Sequence, residues 1–299
     1  MILTIDIGGS ALKYALFEGE LPEMKGELTL GERGAENLIK KICEVYDICS
    51  EAGRIKAIAI DSAGLIDSNK GQIISAANLG IDEPLPLCDI IGEKYGLPVY
   101  IANDVNAAAI GEMAYGAARE NVNYVFVAFG TGVGGAAVVG RRLYEGKRGL
   151  AGEIGHFITH PNGLPCPCGR KGCFERYASV PALVAKAAEH DPSVTNGREL
   201  FDRYYAGDEN IVKAVDEWMD EIVLGLVSIT HLLDPGAIVL GGGIMNEKFL
   251  VPEIEKRLRA AVMKEYSNIC VRGAELGNAA ALYGMLFRAN LRLKEGKNR

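Results

Sequence analysis

The chain has 299 residues, 48% of them hydrophobic and 24% charged. That balance is the one expected of a globular protein with sizeable cores, and the length favours two domains or one large one. The net charge is −7 and, apart from the last eight residues, no basic run offsets it, which argues against a nucleic-acid partner. The first residues carry neither a basic region nor a cleavage signature. The most apolar long window, around residues 221–243, is interrupted by Asp234-Pro235 and is too short on either side to span a bilayer. The expectation is a cytoplasmic protein without membrane spans, whose thiols stay reduced and whose cysteines do not form a disulfide framework.

The chain opens with "ILTIDIGG", a short apolar and β-branched run that predicts a buried strand, then a glycine turn, then a second strand in "LKYALFEG". Gly8 and Gly9 would let backbone N–H groups approach an anion closely. Asp6, just before the turn, could hold Mg²⁺ directly or through water, and Ser10 and Lys13 add donors. "ENLIKKICEVYDICSEAG" predicts an amphipathic helix ended by Gly53. "IKAIAIDSAG" follows as a buried strand, "LCDIIGEKYG" as a helix and "LPVYIAND" as a strand. Asn103-Asp104 closes that strand and opens the helix "VNAAAIGEMAYGAA". Ligands of open α/β sheets gather at such positions, which makes Asp104 a candidate for chemistry. Asn and Asp are also the preferred helix N-caps, so a capping role stays open.

A second strand–glycine turn–strand unit occupies residues 123–146, with Gly130, Thr131, Gly132 and Gly134 in "FGTGVGG". Neither turn matches a P-loop or a dinucleotide fingerprint, because a strand follows rather than a helix. Each alone is also what a plain hairpin looks like. Two such units opening two halves of a chain suggest a duplicated domain with phosphates held between the copies. A third glycine run, "IVLGGGI", contains Gly242 and precedes the helix "FLVPEIEKRLRAAV"; a helix N-terminus there would favour an anion or an adenine. "DENIVKAVDEWMDEIVLGLVSITHLLD" predicts one long helix. The domain boundary falls near 117/118, giving lobes 1–117 and 118–276, with a last helix at 277–299 crossing back to the first.

Residues 155–173, "GHFITHPNGLPCPCGRKGC", stand apart. Cys43, Cys49, Cys88 and Cys270 read as small buried hydrophobes. Cys166, Cys168 and Cys173, in contrast, are spaced so that three thiolates can converge without a long helix or strand. His156 completes a set of four donors for tetrahedral zinc, and such a closed set is structural. His160 is the alternative fourth ligand. The lack of C-x-x-C argues against thioredoxin-like chemistry.

Taken together, "DIGGSALK", "NDVNAAAIGE", "FGTGVGG", "AGEIGH", "PNGLPCPCGRKGCFERYAS" and "IVLGGGI" resemble the ROK family of repressors, open reading frames and kinases, and within it the zinc-containing bacterial glucokinases. The resemblance implies an α/β fold built as a ribonuclease-H-like duplication of the actin and hexokinase type, with a cleft between two lobes. It implies ATP, Mg²⁺ and structural Zn²⁺ as cofactors, Asp104 as catalytic base, and Asn78, Asn103, Glu153, His156 and Glu175 as sugar ligands. Zinc would sit on His156, Cys166, Cys168 and Cys173, and a homodimer or homotetramer is expected. The implied reaction is ATP-dependent phosphorylation of a hexose, first of all glucose. Other implied sugars are N-acetylmannosamine, N-acetylglucosamine, allose, fructose or a β-glucoside. Ser10 replaces a common Thr and keeps its hydroxyl. Ile81 stands where the glucokinases commonly have Trp, which bears on the role of nearby Asn78. Glu153 favours glucose over N-acetylmannosamine, since some kinases for the latter carry His there. A sugar-sensing repressor of the family would carry an N-terminal winged helix, for which no room is expected ahead of Asp6.

Overall fold

The computed structural model describes residues 1–297. The chain divides into two compact units. The first comprises Met1–Glu120, Leu143–Ala151 and the segment from Asn278 onward; the second comprises Asn121–Arg142 and Gly152–Gly277.

In the first unit, β1 (Ile2–Ile7) turns through Gly8-Gly9-Ser10 into antiparallel β2 (Ala11–Glu18), and β3 (Leu21–Thr29) adds to β2. Helix α1 (Ala35–Ser50) leads to β4 (Ala57–Ser62), which runs parallel to β1. A small hairpin of β5 (Leu65–Asp67) and β6 (Gln72–Ser75) precedes α2 (Leu87–Tyr95). Next comes β7 (Val99–Asn103), parallel to β4, and α3 (Asp104–Tyr115) starts at its end without a loop. The sheet order is β3-β2-β1-β4-β7.

Because side chains alternate along a strand, this sheet has two different faces. Leu3, Ile5, Ile7, Ile58 and Ile60 pack with Leu38 and Ile42 of α1 and Ile91 of α2. The other face carries Ala59 and Ala102, small enough for helices to approach closely, and packs with Ala107 of α3.

The second unit repeats the plan. Strands β8 (Tyr124–Phe129) and β9 (Val133–Val139) form an antiparallel hairpin, extended by β10 (Arg142–Leu143). Short helices α4 (Glu175–Ala178), α5 (Val180–His190) and α6 (Gly197–Tyr205) lead to the 25-residue α7 (Glu209–Leu233). Then come β11 (Ile238–Gly241), parallel to β8, α8 (Leu250–Ala261) and β12 (Val271–Gly273), parallel to β11. The order β10-β9-β8-β11-β12 matches that of the first sheet. Trp218 of α7 is fully buried in this unit's core, and its indole N–H donates to the carbonyls of Ala178 and Ser179 at 3.0 and 3.2 Å.

The last helix, α9 (Ala280–Lys297), packs on α3 within the first unit. A side chain at Gly111 would strike the carbonyl of Ala280, and one at Gly284 the carbonyl of Ala107, so the crossing requires both glycines. Residues 298 and 299 of the helix expected at 277–299 lie outside the described residues. Leu143–Ala151, placed in the C-terminal lobe by the sequence reading, belongs to the first unit. The Arg288 guanidinium of α9 holds Glu145 with both terminal nitrogens at 3.1 Å, and Ser68 donates to the same carboxylate at 2.6 Å. No helix among the described residues is long and apolar enough to cross a membrane.

Candidate active site

The first glycine turn is tight: Gly8 N–H donates to Ala11 O at 3.0 Å, and Ser10 O accepts from Leu30 N–H at 2.9 Å. Gly9 and Ser10 are exposed, and the Cβ of Asn78 lies 3.9 Å from where a Gly9 side chain would begin. Asn78, itself exposed in a 3-10 turn, is therefore beside the turn. Asp6 pairs in register with Lys13 across the hairpin and with Asp61 on the parallel side.

Nothing local in the sequence marks that last partner, Asp61, as part of a site. Asp61 is fully buried, and its oxygens meet no N–H or hydroxyl donor; the Asp6 carboxylate is its side-chain partner, so the pair can share a proton. Burial pushes its carboxyl well above the usual carboxylate range, and Asp6 and Asp104 push it further. Asp6 is raised too, by burial, with Lys13 opposing. Asp104 is raised chiefly by burial, with Asp6 adding to the effect against a hydrogen bond from Val105 N–H. Three acids at the C-terminal ends of three parallel strands thus feel one another.

The capping question at Asn103-Asp104 has a definite answer. Asn103 is the N-cap of α3: its Oδ1 accepts from Val105 N–H at 3.0 Å and Asn106 N–H at 3.2 Å, while its Nδ2 donates to Gly64 O at 3.2 Å. Asp104 is the first helical residue, not the cap. Its Oδ1 accepts from Val105 N–H at 2.9 Å.

In the second unit, Gly130 N–H donates to Gly132 O at 2.9 Å, which leaves Thr131 exposed at the tip of the turn. Gly132 has a steric cause: a side chain there would overlap the Glu175 carboxylate. Glu175 Oε2 accepts from Val133 N–H at 3.1 Å, so it is bound to the glycine turn as well as following Cys173 in sequence. Gly134 lies just inside β9. The glycine run at 241–243 corrects an expectation. A 3-10 turn at Gly243–Asn246 follows it, and α8 begins only at Leu250, so no α-helix N-terminus faces an anion at Gly242. Gly242 is required instead by its φ of 94° and by the Phe129 carbonyl, which a side chain would strike.

The Cys/His segment resolves the choice of histidine. His156 Nδ1 lies 3.7 Å from Cys166 Sγ, Cys168 Sγ lies 3.5 Å from Cys173 Sγ, and all four donor atoms fall within 4.8 Å of one another. Zinc bonded to sulfur at 2.3 Å and nitrogen at 2.0–2.1 Å sets tetrahedral donor separations of roughly 3.5–3.8 Å, so these residues fit the ion. His160 points elsewhere: it stacks on Tyr177 with ring centroids 3.9 Å apart, and its Nε2 is 3.5 Å from Glu221. The other ring nitrogen of His156 is 4.0 Å from Glu153 Oε2, on a 3-10 turn that Glu153 itself begins. Phe174, the next residue after Cys173, is fully buried; it stacks on Phe157 and fills the space left by Gly225 of α7. That anchors one end of the cluster to the unit's core. None of the seven cysteines is in a disulfide.

Duplicated five-stranded sheets, each opening on a glycine hairpin, define the α/β fold of the actin and hexokinase type. The chain belongs to the ROK family, whose model matches residues 2–290. It is 30% identical to a glucokinase of Thermotoga maritima over 81% of this chain and 82% of that protein. It is 29% identical to an N-acetylmannosamine kinase of Haemophilus influenzae over 95% of this chain and 94% of that one. Among solved structures it resembles a ROK hexokinase from Thermus thermophilus, with a TM-score of 0.86 at 30% identity over 98% and 99% of the two chains. It also resembles a ROK family glucokinase from Streptomyces griseus, solved with glucose and AMPPNP, with a TM-score of 0.82 at 30% identity over 95% and 97%.

Proposed function

We propose that this chain is an ATP-dependent sugar kinase that phosphorylates a hexose, glucose before others, with Asp104 as general base. The observation that carries the reading is the division of labour at the end of β7. Asn103 is the residue that caps the helix, through Val105 and Asn106 N–H, while Asp104 takes one bond, from Val105 N–H to Oδ1, and is not the residue on which the helix end depends. Burial and Asp6 raise its proton affinity, which suits a group that must take a proton from a hydroxyl.

The remaining roles follow from chemistry. Glu153 and Glu175 are carboxylates that accept hydrogen bonds from sugar hydroxyls, and Asn103 and Asn78 add amide contacts. His156, holding zinc through Nδ1, keeps Nε2 fixed in direction and tautomer for a further hydroxyl. The zinc set has four protein donors and no open position, so zinc orders the segment without entering the reaction. Gly8, Gly9, Ser10 and Lys13 on one hairpin and Gly130, Thr131, Gly132 and Gly134 on the other bind the phosphates of ATP. Asp6 would hold Mg²⁺, which would supply charge neutralisation to the triphosphate. Asp104 accepts the proton of the attacking hydroxyl, and the hairpin N–H groups stabilise the transferring phosphoryl group. Gly242 contributes only backbone shape beside the nucleotide.

The relatives include a glucokinase and an N-acetylmannosamine kinase at nearly equal identity. Glu153 favours glucose, because some family kinases for N-acetylmannosamine carry His there, while a carboxylate accepts hydrogen bonds from a hexose's hydroxyls. A coupled assay with ATP over a hexose panel that includes both sugars tests this. The expected result is the highest kcat/KM with glucose. A preference for N-acetylmannosamine would overturn the sugar assignment, and phosphorylation of no hexose would overturn the reading as a whole.

A further inference from the structure

His160 is left without a role once it is set apart from the metal ligands, yet it has partners on three sides. Its ring lies on Tyr177 of α4, with centroids 3.9 Å apart and planes 22° from parallel. Its Nε2 is 3.5 Å from Glu221 Oε2 on α7, and its Nδ1 is 3.0 Å from Thr159 Oγ1. Glu221 sits on a rigid element, in the same helix as the fully buried Trp218. The His160 and Glu221 side chains are 35% and 18% exposed, so water screens this pair less than a surface one.

The backbone extends the same hold. The N–H groups of Thr159 and His160 both donate to Gly172 O, at 3.0 and 3.2 Å, and Ile158 bridges Cys173 as an antiparallel partner. The His160 carbonyl accepts from Gly163 N–H at 2.9 Å, and the Tyr177 hydroxyl oxygen accepts from Leu164 N–H at 2.7 Å. Glycine is required at 163 and 172, where a side chain would strike the Tyr177 hydroxyl and the His160 carbonyl. His160 therefore touches the chain on both sides of Glu175: at Gly172 before it, and at Tyr177 after it on the same short helix. Zinc reaches Glu175 from one side, through Cys173. Glu175 Oε2 is already bonded to Val133 N–H, so a displaced backbone weakens either that bond or a contact made by the other oxygen.

We propose that His160 is a positioning residue for the sugar: clamped between Tyr177 and Glu221, it fixes α4 and the paired segments 158–160 and 172–173 against α7, and through them the place of Glu175. The inference rests on the sugar-kinase reading and deepens it. Two devices then hold the sugar end of the segment. The metal closes the loop from Cys166 to Cys173, and the histidine clamp ties that loop to a core helix. A zinc-loaded segment without the clamp keeps every sugar ligand but holds Glu175 less firmly.

The test compares the wild type with His160→Phe, which keeps a ring to stack on Tyr177 and removes both nitrogens, and with Glu221→Leu, which removes the partner on α7. Zinc content and steady-state kinetics are measured on each zinc-loaded protein. Both variants are expected to keep one zinc per chain and the wild-type KM for ATP, with kcat within about two-fold and sugar KM raised roughly 3–10-fold. The double variant is expected to be no worse than the more affected single one, because the two side chains form one contact. If His160→Phe does not fold, Glu221→Leu carries the same test. Unaltered sugar KM in the folded variants would overturn the inference. Loss of zinc together with sugar affinity would overturn it too, since His160 would then support the metal alone. The two readings fail separately. A wild type that phosphorylates no hexose removes the kinase reading, whereas a working kinase whose variants keep the wild-type sugar KM removes only this one.

Discussion

Asp6 and Asp61 are register partners on β1 and β4 of the first unit; at the equivalent places in the second unit, Ala128 and Gly241 are register partners on β8 and β11. The backbones correspond and the chemistry does not. In the first unit the pair is acidic, Asp61 buried and Asp6 half-buried, beside a hairpin that also carries Lys13. In the second, a side chain at Gly241 would overlap the Phe126 ring, so that place admits no functional group at all. The second unit instead carries the Cys/His cluster and ties Glu175 back to its hairpin. The two glycine hairpins correspond, while the Asp6–Asp61 pair belongs to one unit and the Cys/His cluster to the other.

The largest effect that would break this contrast is expected at Asp104. Asp104→Asn removes the proton acceptor and leaves the cap on Asn103 untouched, so kcat should fall by roughly 10²–10⁴-fold with sugar KM changed far less. Steady-state kinetics checks this, and near-normal turnover in a clean preparation would remove Asp104 from the chemistry. Next is Glu153→Ala in the second unit. Leaving sugar hydroxyls unpaired costs about 1–3 kcal/mol, to be read as a loss of kcat/KM for the sugar while KM for ATP stays within a few-fold. A collapse of ATP affinity instead would mean that the acids of the two units do not divide the substrates in this way.

Removing zinc, or Cys168→Ala, sharpens the comparison from the metal side. Sugar KM is expected to rise, roughly 10-fold or more, with Mg-ATP binding retained, and metal analysis should find one zinc per chain before treatment. A zinc-free protein with unaltered sugar KM would refute the link between cluster and substrate. The smallest effect belongs to Asn103→Ala. Losing the cap should cost about 1 kcal/mol of stability, visible as a lowered unfolding midpoint, in addition to any change in sugar binding.

Much of the arrangement was legible in the sequence because it is local. The hairpin glycines, the Asn-Asp step from strand to helix and the three close cysteines each announce themselves within a few residues. What failed to show depends on contacts far apart in the chain. "AIAIDSAG" reads as a buried strand, and nothing in that string reveals that Asp61 lies beside Asp6, 55 residues earlier, as its side-chain partner. Spacing favours His156 as the fourth ligand and leaves His160 as a rival; the stacking of His160 on Tyr177 and its approach to Glu221 on α7 separate them. Glu175 was read as a sugar ligand alone, because its bond to Val133 spans 42 residues. At Gly242 the string suggests a helix N-terminus for an anion or an adenine; the steric demand of the Phe129 carbonyl for a glycine is not visible in it. Strand β3 gives no clear signal because Pro22 and Gly26 interrupt its inner face, although Met24 and Leu28 on that face pack on the first unit's core.

The glycine crossing of α3 and α9 has a consequence for how the chain matures during synthesis. Met285, Leu286 and Ala289 of α9 supply part of the core that covers Ala59 and Ala102. The second unit, by contrast, ends at Gly277 and has all its strands by then. Domains generally fold as units in the order they are made. Here that order is inverted: the half that begins first must wait, with one face of its central sheet uncovered, while the half that begins later can close its core before α9 exists.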